Sequence, residues 1–370
     1  MKIVCNKTDL VNNINITLRA VPSKTTMPIL ECIIIQAIDN SIKLTANDME
    51  LAIESYVNGT VIESGSVAIN AKIFSEIIRK LPDSEVSISV NENYEVVILC
   101  EKAKFKLSGK TSEEFPSIPL IEKDTCIKIS QFTLKEVIRQ TVFSIADSET
   151  NRIMTGELFE VNKDELKVVS LDGHRISIRK IQLKEEYNPI KVIVPGKTLN
   201  EISKVLPGDT DKMVSLFFTD KHVLCEFDQT TVVSRLIEGE YYKIEQMLSN
   251  DYETKVTINK KELLSCIDRA NLLVRESEKK PIIINVLDSQ IELNMTSSLG
   301  SMKEEISVNK EGKDILIGFN PKFLMDALRV VDDELVDIYL FNPKAPCFIK
   351  DKDETYIYLI LPVNFNTGVN

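Results

Sequence analysis

The chain has 370 residues, 43% apolar and 27% charged, which fits a folded protein of two or three domains better than a single core. No apolar run of roughly eighteen residues is present to span a membrane, and the start, Met1-Lys2-Ile3-Val4-Cys5, reads as a strand and not as a signal peptide, so a cytoplasmic location is expected. A net charge of −11 argues against a domain that grips DNA by charge alone, and two histidines with seven scattered cysteines and no C-x-x-C pair argue against a structural zinc site.

In chain order, a short strand leads into a helix at Lys7-Thr8-Asp9-Leu10-Val11. A strand pair follows, Cys32–Ile35 with Ile42–Thr45, joined through the turn residues Asp39-Asn40. An alternating strand at Ser66–Ile69 then feeds a second helix, Asn70–Pro82, and more strand sequence at Val86–Val90. After the proline-rich stretch Pro116–Pro119 the order repeats. A helix begins at Phe132–Val137, a strand pair lies at Gly156–Phe159 and Leu166–Val169, and Val192–Val194 leads into a helix at Pro195–Pro207 and a strand at Val214–Phe218. Beyond Ser249-Asn250-Asp251 it repeats again, with a helix at Lys261–Leu264 and strands at Ile282–Ile284 and Ile291–Leu293 joined through Asp288-Ser289. Ile315–Ile317, a helix at Asn320–Asp332 and Val336–Leu340 complete the unit.

Lys72, Lys197 and Lys322 are spaced 125 residues apart. Aligned on them, Phe74, Leu199 and Leu324 coincide, as do Ile77, Ile202 and Ala327; Leu81, Leu206 and Val331; and Arg79, Lys204 and Arg329. The fold class is therefore α+β, written three times, with two helices and roughly eight strands per repeat. The expected domains are 1–121, 122–249 and 250–370. Similar units with similar joints form an arc, and a head-to-tail arc closes into a ring when its rotation allows.

On a helical projection with Lys72 at 0°, Arg79 falls at about −20° and Phe74, Ile77, Ile78 and Leu81 between about 140° and 240°. An apolar stripe thus faces the sheet and a basic row faces away. Glu76, Glu201 and Asp326 follow each lysine by four residues and are expected to pair with it, leaving the row mildly basic. A solvated face accounts for the same lysines. The cysteines, Cys5, Cys32, Cys100, Cys126, Cys225, Cys266 and Cys347, mostly have apolar neighbours and read as reduced, buried small hydrophobes.

Five segments resemble one family. Asp172-Gly173-His174-Arg175 after the strand Val168–Leu171 resembles the signature turn of bacterial sliding clamps. Met27-Pro28-Ile29-Leu30, Ser148-Glu149-Thr150 with Met154-Thr155-Gly156, Val192–Pro195 and Tyr358–Val363 follow the same family's order. The resemblance covers the whole chain. It implies three tandem clamp-fold domains with helices on the inner wall, and a ring-shaped head-to-tail homodimer around double-stranded DNA. It also implies a clamp loader that opens the ring, and docking of the replicative polymerase and other clamp-binding-motif proteins through a short peptide. No catalytic residue, metal or cofactor is implied.

Carried over by motif, the peptide site is Met154, Leu171, Gly173, His174, Arg175, Ile176, Tyr242, Met247, Pro346, Leu359, Ile360, Leu361 and Pro362. Leu171, Ile176, Leu359 and Leu361 would form an apolar slot, with His174 and Arg175 as polar edges. Read without the resemblance, Asp172-Gly173 is a hairpin turn and the last strand an ordinary edge. DNA contact is assigned to Lys24, Lys72, Arg152 and Lys197. The chain departs from the family pattern at Tyr242-Lys243-Ile244, at Gln246 and in the tail from Asn364 to Asn370. The rival readings are an enzyme using Asp172 and His174 with Asp48, for which no nucleophile motif is present, and a protein that grips DNA by charge.

Overall fold

The computed structural model describes residues 1–248, 251–275 and 280–365. The expected boundary at Ser249-Asn250 and the tail from 366 to 370 lie outside the described residues. The first repeat runs β1 (Lys2–Asn6), α1 (Lys7–Thr17), β2 (Cys32–Ile38), β3 (Ser41–Asn47), β4 (Leu51–Val57), β5 (Gly59–Glu63), β6 (Gly65–Asn70), α2 (Ala71–Lys80), β7 (Glu85–Val90), β8 (Glu95–Cys100) and β9 (Ala103–Ser108). The second holds β10 (Cys126–Ser130), α3 (Gln131–Thr141), β11 (Gly156–Leu171), β12 (Arg175–Pro195), α4 (Gly196–Val205), β13 (Met213–Phe218), β14 (His222–Phe227) and β15 (Thr230–Arg235). The third comprises β16 (Thr254–Asn259), α5 (Lys260–Asn271), β17 (Ile282–Val286), β18 (Gln290–Ser297), β19 (Gly300–Ser307), β20 (Asn309–Gly312), β21 (Ile315–Phe319), α6 (Pro321–Val330), β22 (Leu335–Leu340), β23 (Cys347–Lys350) and β24 (Tyr356–Ile360).

The helices start where asparagine or serine can cap them. Asn6, Asn70, Asn259 and Asn320 each accept a hydrogen bond from a backbone N–H of the first turn of α1, α2, α5 and α6, and Ser130 accepts one from Thr133 at α3. The Asp39-Asn40 turn between β2 and β3 has both residues in the left-handed region, at φ 50 and 63, as a tight hairpin requires. The strand pair expected at Gly156–Phe159 and Leu166–Val169 is carried within the single element β11. Lys167 Nζ lies 3.2 Å from Glu160 Oε2. Seven residues of straight strand span about 23 Å, so the chain doubles back between them, where Lys163 has φ 53.

Three repeats fold into two compact units. One comprises Met1–Lys135 with Lys197–Leu236. It contains a five-stranded sheet, β5-β1-β7-β8-β9, and an eight-stranded sheet, β10-β13-β14-β15-β4-β3-β2-β6. The other takes Glu136–Gly196 with the chain from Ile237 onward, and holds β11-β12-β24-β23-β22-β16-β20 and β19-β18-β17-β21. The cause is backbone pairing across the repeat boundaries. β15 pairs with β4 from Thr230↔Ser55 to Ser234↔Leu51, and β24 pairs with β12 from Tyr356↔Arg179 to Ile360↔Arg175.

The helical projection holds in all three repeats. Phe74, Leu199 and Leu324 are buried, as are Leu81, Leu206 and Val331, while Lys72, Lys197, Lys322, Arg79, Lys204 and Arg329 are exposed. Ile202 and Ala327 are buried; Ile77 is only half-buried. The expected pairing four residues apart fails in every repeat. Lys197 Nζ binds Asp48 Oδ2 at 2.5 Å, Glu201 takes Lys204 at 2.7 Å and Arg19 at 3.7 Å, Asp326 takes Arg175 at 2.7 Å, and Lys72 forms no ion pair with Glu76. Lys197 and Asp326 find partners on other elements, and Glu201 pairs most closely with Lys204 of its own helix. Six of the seven cysteines are buried and Cys126 is half-buried; all seven are free thiols.

Candidate peptide-binding cleft

The turn between β11 and β12 organises the site. Asp172 Oδ1 accepts from the backbone N–H of His174 at 2.9 Å and of Arg175 at 3.1 Å, and Oδ2 accepts from Arg175 Nε at 2.9 Å. Gly173 sits at φ +88 with nothing within 4 Å of where a Cβ would stand, so the turn leaves open space beside it. The hairpin reading and the site reading of these residues are thus compatible. Both Asp172 oxygens are engaged in holding the turn and Arg175. Among the described residues no three His, Cys, Asp or Glu side chains gather as a metal site.

Strand parity then divides the expected residues between two faces. Leu171, Ile176 and Leu359 belong to one buried cluster with Leu158, Val169, Ile178, Tyr241 and Ile244, and Met154 packs against it. These side chains make an apolar floor. Leu361, Tyr242 and Met247 are exposed at 38%, 38% and 52%, and Pro346 and Pro362 are half-buried. Asn151 donates a short hydrogen bond to the Tyr242 hydroxyl, and Tyr241 meets the Tyr242 ring edge-on at 6.3 Å. Leu361 N–H donates to the His174 carbonyl at 2.9 Å, which joins the last strand to the turn.

Arg175 and Ile360 are corrections to the expected slot. They pair with each other across β12 and β24, and therefore point to the face opposite Ile176 and Leu359. Ile360 is fully buried in the neighbouring core with Tyr358, Cys347 and Leu324. Arg175 is 6% exposed, donates to Asp326 Oδ2 at 2.7 Å and to the Phe143 carbonyl at 2.5 Å, and lies 4.4 Å from the Phe323 ring centroid. Burial works against its charge, but Tyr358, Asp326 and Asp172 outweigh it and raise its pKa above the ordinary arginine value. His174 stays exposed, its ring stacked on Phe323 at 6.2 Å. Arg175 is thus buried beneath the turn, whereas the His174 ring lies at its exposed side.

The residues expected near DNA are all exposed. Lys24 lies in the loop after α1, Lys72 and Lys197 each occupy the second residue of α2 and α4, and Arg152 lies in the short helical segment Glu149–Thr155. Lys24, Lys72 and Lys197 belong to the first compact unit and Arg152 to the second. Lys197 is neutralised by Asp48.

Profiles of the DNA polymerase III beta subunit match the chain end to end, as the N-terminal domain over residues 1–119, the central domain over 128–243 and the C-terminal domain over 245–364. The chain belongs to the DNA polymerase III beta subunit family. It is a bacterial DNA polymerase sliding clamp, a processivity subunit and not itself a catalyst. The Staphylococcus epidermidis beta sliding clamp is 36% identical over 98% of this chain and 99% of that one. The Bacillus subtilis sliding clamp structure is 35% identical, with TM-score 0.95 over 99% of this chain and 100% of that one. A crystal structure from Eubacterium rectale, described as a DNA polymerase III beta subunit, is 60% identical with TM-score 0.96 over 99% of this chain and 100% of that one.

The candidate cleft is also supported by residues that the sequence does not single out. Tyr241 and Ile244 lie buried beneath Tyr242, with the Tyr241 hydroxyl donating to the Val169 carbonyl at 3.1 Å. Phe323 and Asp326 carry His174 and Arg175 from α6. The spacing in the repeated helix pairs Asp326 with Lys322, and only the tertiary fold brings Phe323 and Asp326 to the turn.

Proposed function

We propose that two copies of the chain close head to tail around duplex DNA, and that client proteins dock by a short peptide on the cleft of Met154, Leu171, Gly173, His174, Ile176, Tyr242, Met247, Pro346, Leu359, Leu361 and Pro362. The observation that carries the docking reading is a packed apolar cluster of Leu171, Ile176 and Leu359 beside the uncrowded Gly173 turn, with Met247, Tyr242 and Leu361 partly in solvent. Such a surface suits aliphatic and aromatic peptide anchors, and its flexible methionines accommodate more than one sequence. The replicative polymerase, the clamp loader and other clamp-binding-motif proteins are the expected clients, in the cytoplasm. The domains of this reading are 1–121, 122–249 and 250–370.

DNA is held topologically in this reading, with Lys24, Lys72, Arg152 and Lys197 near the duplex. The Asp48 carboxylate on Lys197 supports loose contact, because each fully available cation strengthens salt-dependent binding and slows sliding. A fluorescein-labelled peptide from the C-terminus of the same organism's replicative polymerase tests the cleft. Leu361→Asp should weaken it by about tenfold or more, because the carboxylate would face an apolar anchor. Unchanged affinity in Leu361→Asp and in Met247→Asp alike would remove the cleft from the docking reading.

A further inference from the structure

The joint between the first and second repeats is built to the same plan as the one that carries the cleft. Asp48 Oδ1 accepts from the backbone N–H groups of Glu50 at 3.0 Å and Leu51 at 2.7 Å, as Asp172 does from His174 and Arg175. Met49 takes φ 77 where Gly173 takes φ 88. Arg235 N–H donates to the Glu50 carbonyl at 2.9 Å, as Leu361 does to that of His174. With Leu51↔Ser234 matching Arg175↔Ile360, Ala52 stands where Ile176 does, Val233 where Leu359 does, and Arg235 where Leu361 does. His222 pairs with Arg235 and so takes the place of Pro346, which precedes the Ile360 partner Cys347.

A cavity of about 250 Å³ opens at this joint, walled by Met49, Ala52, Val233 and Pro119 and edged by His222 and Arg235. It lies wholly within the first compact unit. Its chemistry has diverged from its counterpart. The smaller Ala52 deepens the floor, and a guanidinium and an imidazole replace two apolar residues at the rim. Burial, and after it the cations of Arg235 and Lys221, hold His222 below the ordinary imidazole pKa, so that Arg235 is the charged group of this rim. Glu50 is the single acid in the lining and occupies the place of His174.

We propose that this second cleft binds a linear peptide of a client protein in which one aliphatic side chain adjoins an acidic one, the aliphatic group entering between Met49, Ala52, Val233 and Pro119 and the carboxylate pairing with Arg235. The guanidinium presents a fork that matches a carboxylate in two hydrogen bonds, which sets this cleft apart from the apolar one.

The full-length protein carrying ¹³C-methyl methionine reports on both clefts in one spectrum, through Met49 here and Met154 and Met247 at the other. The probes are acetyl-Leu-Glu-Val-amide and acetyl-Leu-Gln-Val-amide. The Glu peptide should move Met49, and the Gln peptide should need about tenfold more to do so. Arg235→Gln, at an exposed position, should likewise raise the amount of Glu peptide needed to move Met49 about tenfold, while Met154 and Met247 keep their parental positions, which shows that the fold is intact. The proposal is overturned if Met49 stays still at millimolar Glu peptide, if the two peptides titrate alike, or if Arg235→Gln responds to the Glu peptide as the parent does. None of those results touches the polymerase-peptide assay at the other cleft, so the two readings fail separately.

Discussion

Glu157 is fully buried at the start of β11. Thr141 donates a hydrogen bond to its Oε2 at 2.9 Å, and Oε1 has no partner among the described residues. Burial raises its pKa well above the usual carboxylate range, and the Thr141 hydrogen bond offsets only part of that. The folded chain therefore holds a proton that the unfolded chain releases. Stability from this group is full below the unfolded pKa and is lost as pH rises toward the folded one. Glu157→Gln removes the linkage and keeps the shape. Its melting temperature relative to the parent should climb steadily from about pH 5 to about pH 9. A constant offset across that range in paired thermal melts would mean that Glu157 is ionised in the folded protein.

At the scale of elements, the buried contact between α6 and the β11–β12 turn sets the shape of the cleft. Asp326 and Asp172 both hold Arg175, and the Tyr358 hydroxyl donates to the Phe323 carbonyl at 2.9 Å, so helix, turn and last strand are tied together. Removing one member of a buried ion pair strands its partner, and Asp326→Ala should cost about 3 kcal/mol in urea denaturation. It should also weaken the polymerase peptide, although Asp326 lies on the face away from the floor. Arg175→Lys should do the same, since an ammonium cannot reach two carboxylates and a carbonyl as the fork does. A stability loss without any change in peptide affinity would show the turn to be set by its own hydrogen bonds alone.

The same elements mark how far the sequence could be read. The helical stripe of Phe74, Leu199 and Leu324 was legible because a period of 3.6 residues is a local property. The Asp39-Asn40 and Asp172-Gly173 turns were legible because few residues tolerate a left-handed backbone. The face taken by Arg175 and Ile360 was not, because it depends on the register of two strands far apart in sequence. The partner of Lys197 was hidden for a like reason: Asp48 belongs to another repeat. The division of the central repeat between two units was hidden as well, since it follows from the β4–β15 and β12–β24 pairings.

For the whole molecule, the proposed ring needs two complementary ends, and two of the sheet edges are the ends expected to meet. In the first unit β9 ends its sheet and exposes Lys104, Phe105 and Lys106; in the second β19 ends its sheet with Glu304 and Glu305 among its residues. An unpaired edge invites another strand. Leu272, at the C-terminal end of α5, is 78% exposed, and α5 is tied to β19 by Arg269 with Glu304. A large aliphatic side chain so placed beside a free edge is accounted for if β9 of another copy covers it. Burying it would contribute roughly 1.5–3 kcal/mol at each joint, and a two-fold closed ring has two joints, so one substitution counts twice. Sedimentation and small-angle scattering of the parent should give a mass near twice 41.8 kDa with a central void. Leu272→Asp places a carboxylate against that surface, beside Glu304 and Glu305, and should shift the mass toward the single chain at micromolar concentration with the fold unchanged. A parent that stays monomeric at every concentration would end the ring proposal. A variant as dimeric as the parent would instead place the joint on other edges, leaving both peptide clefts to be judged on their own assays.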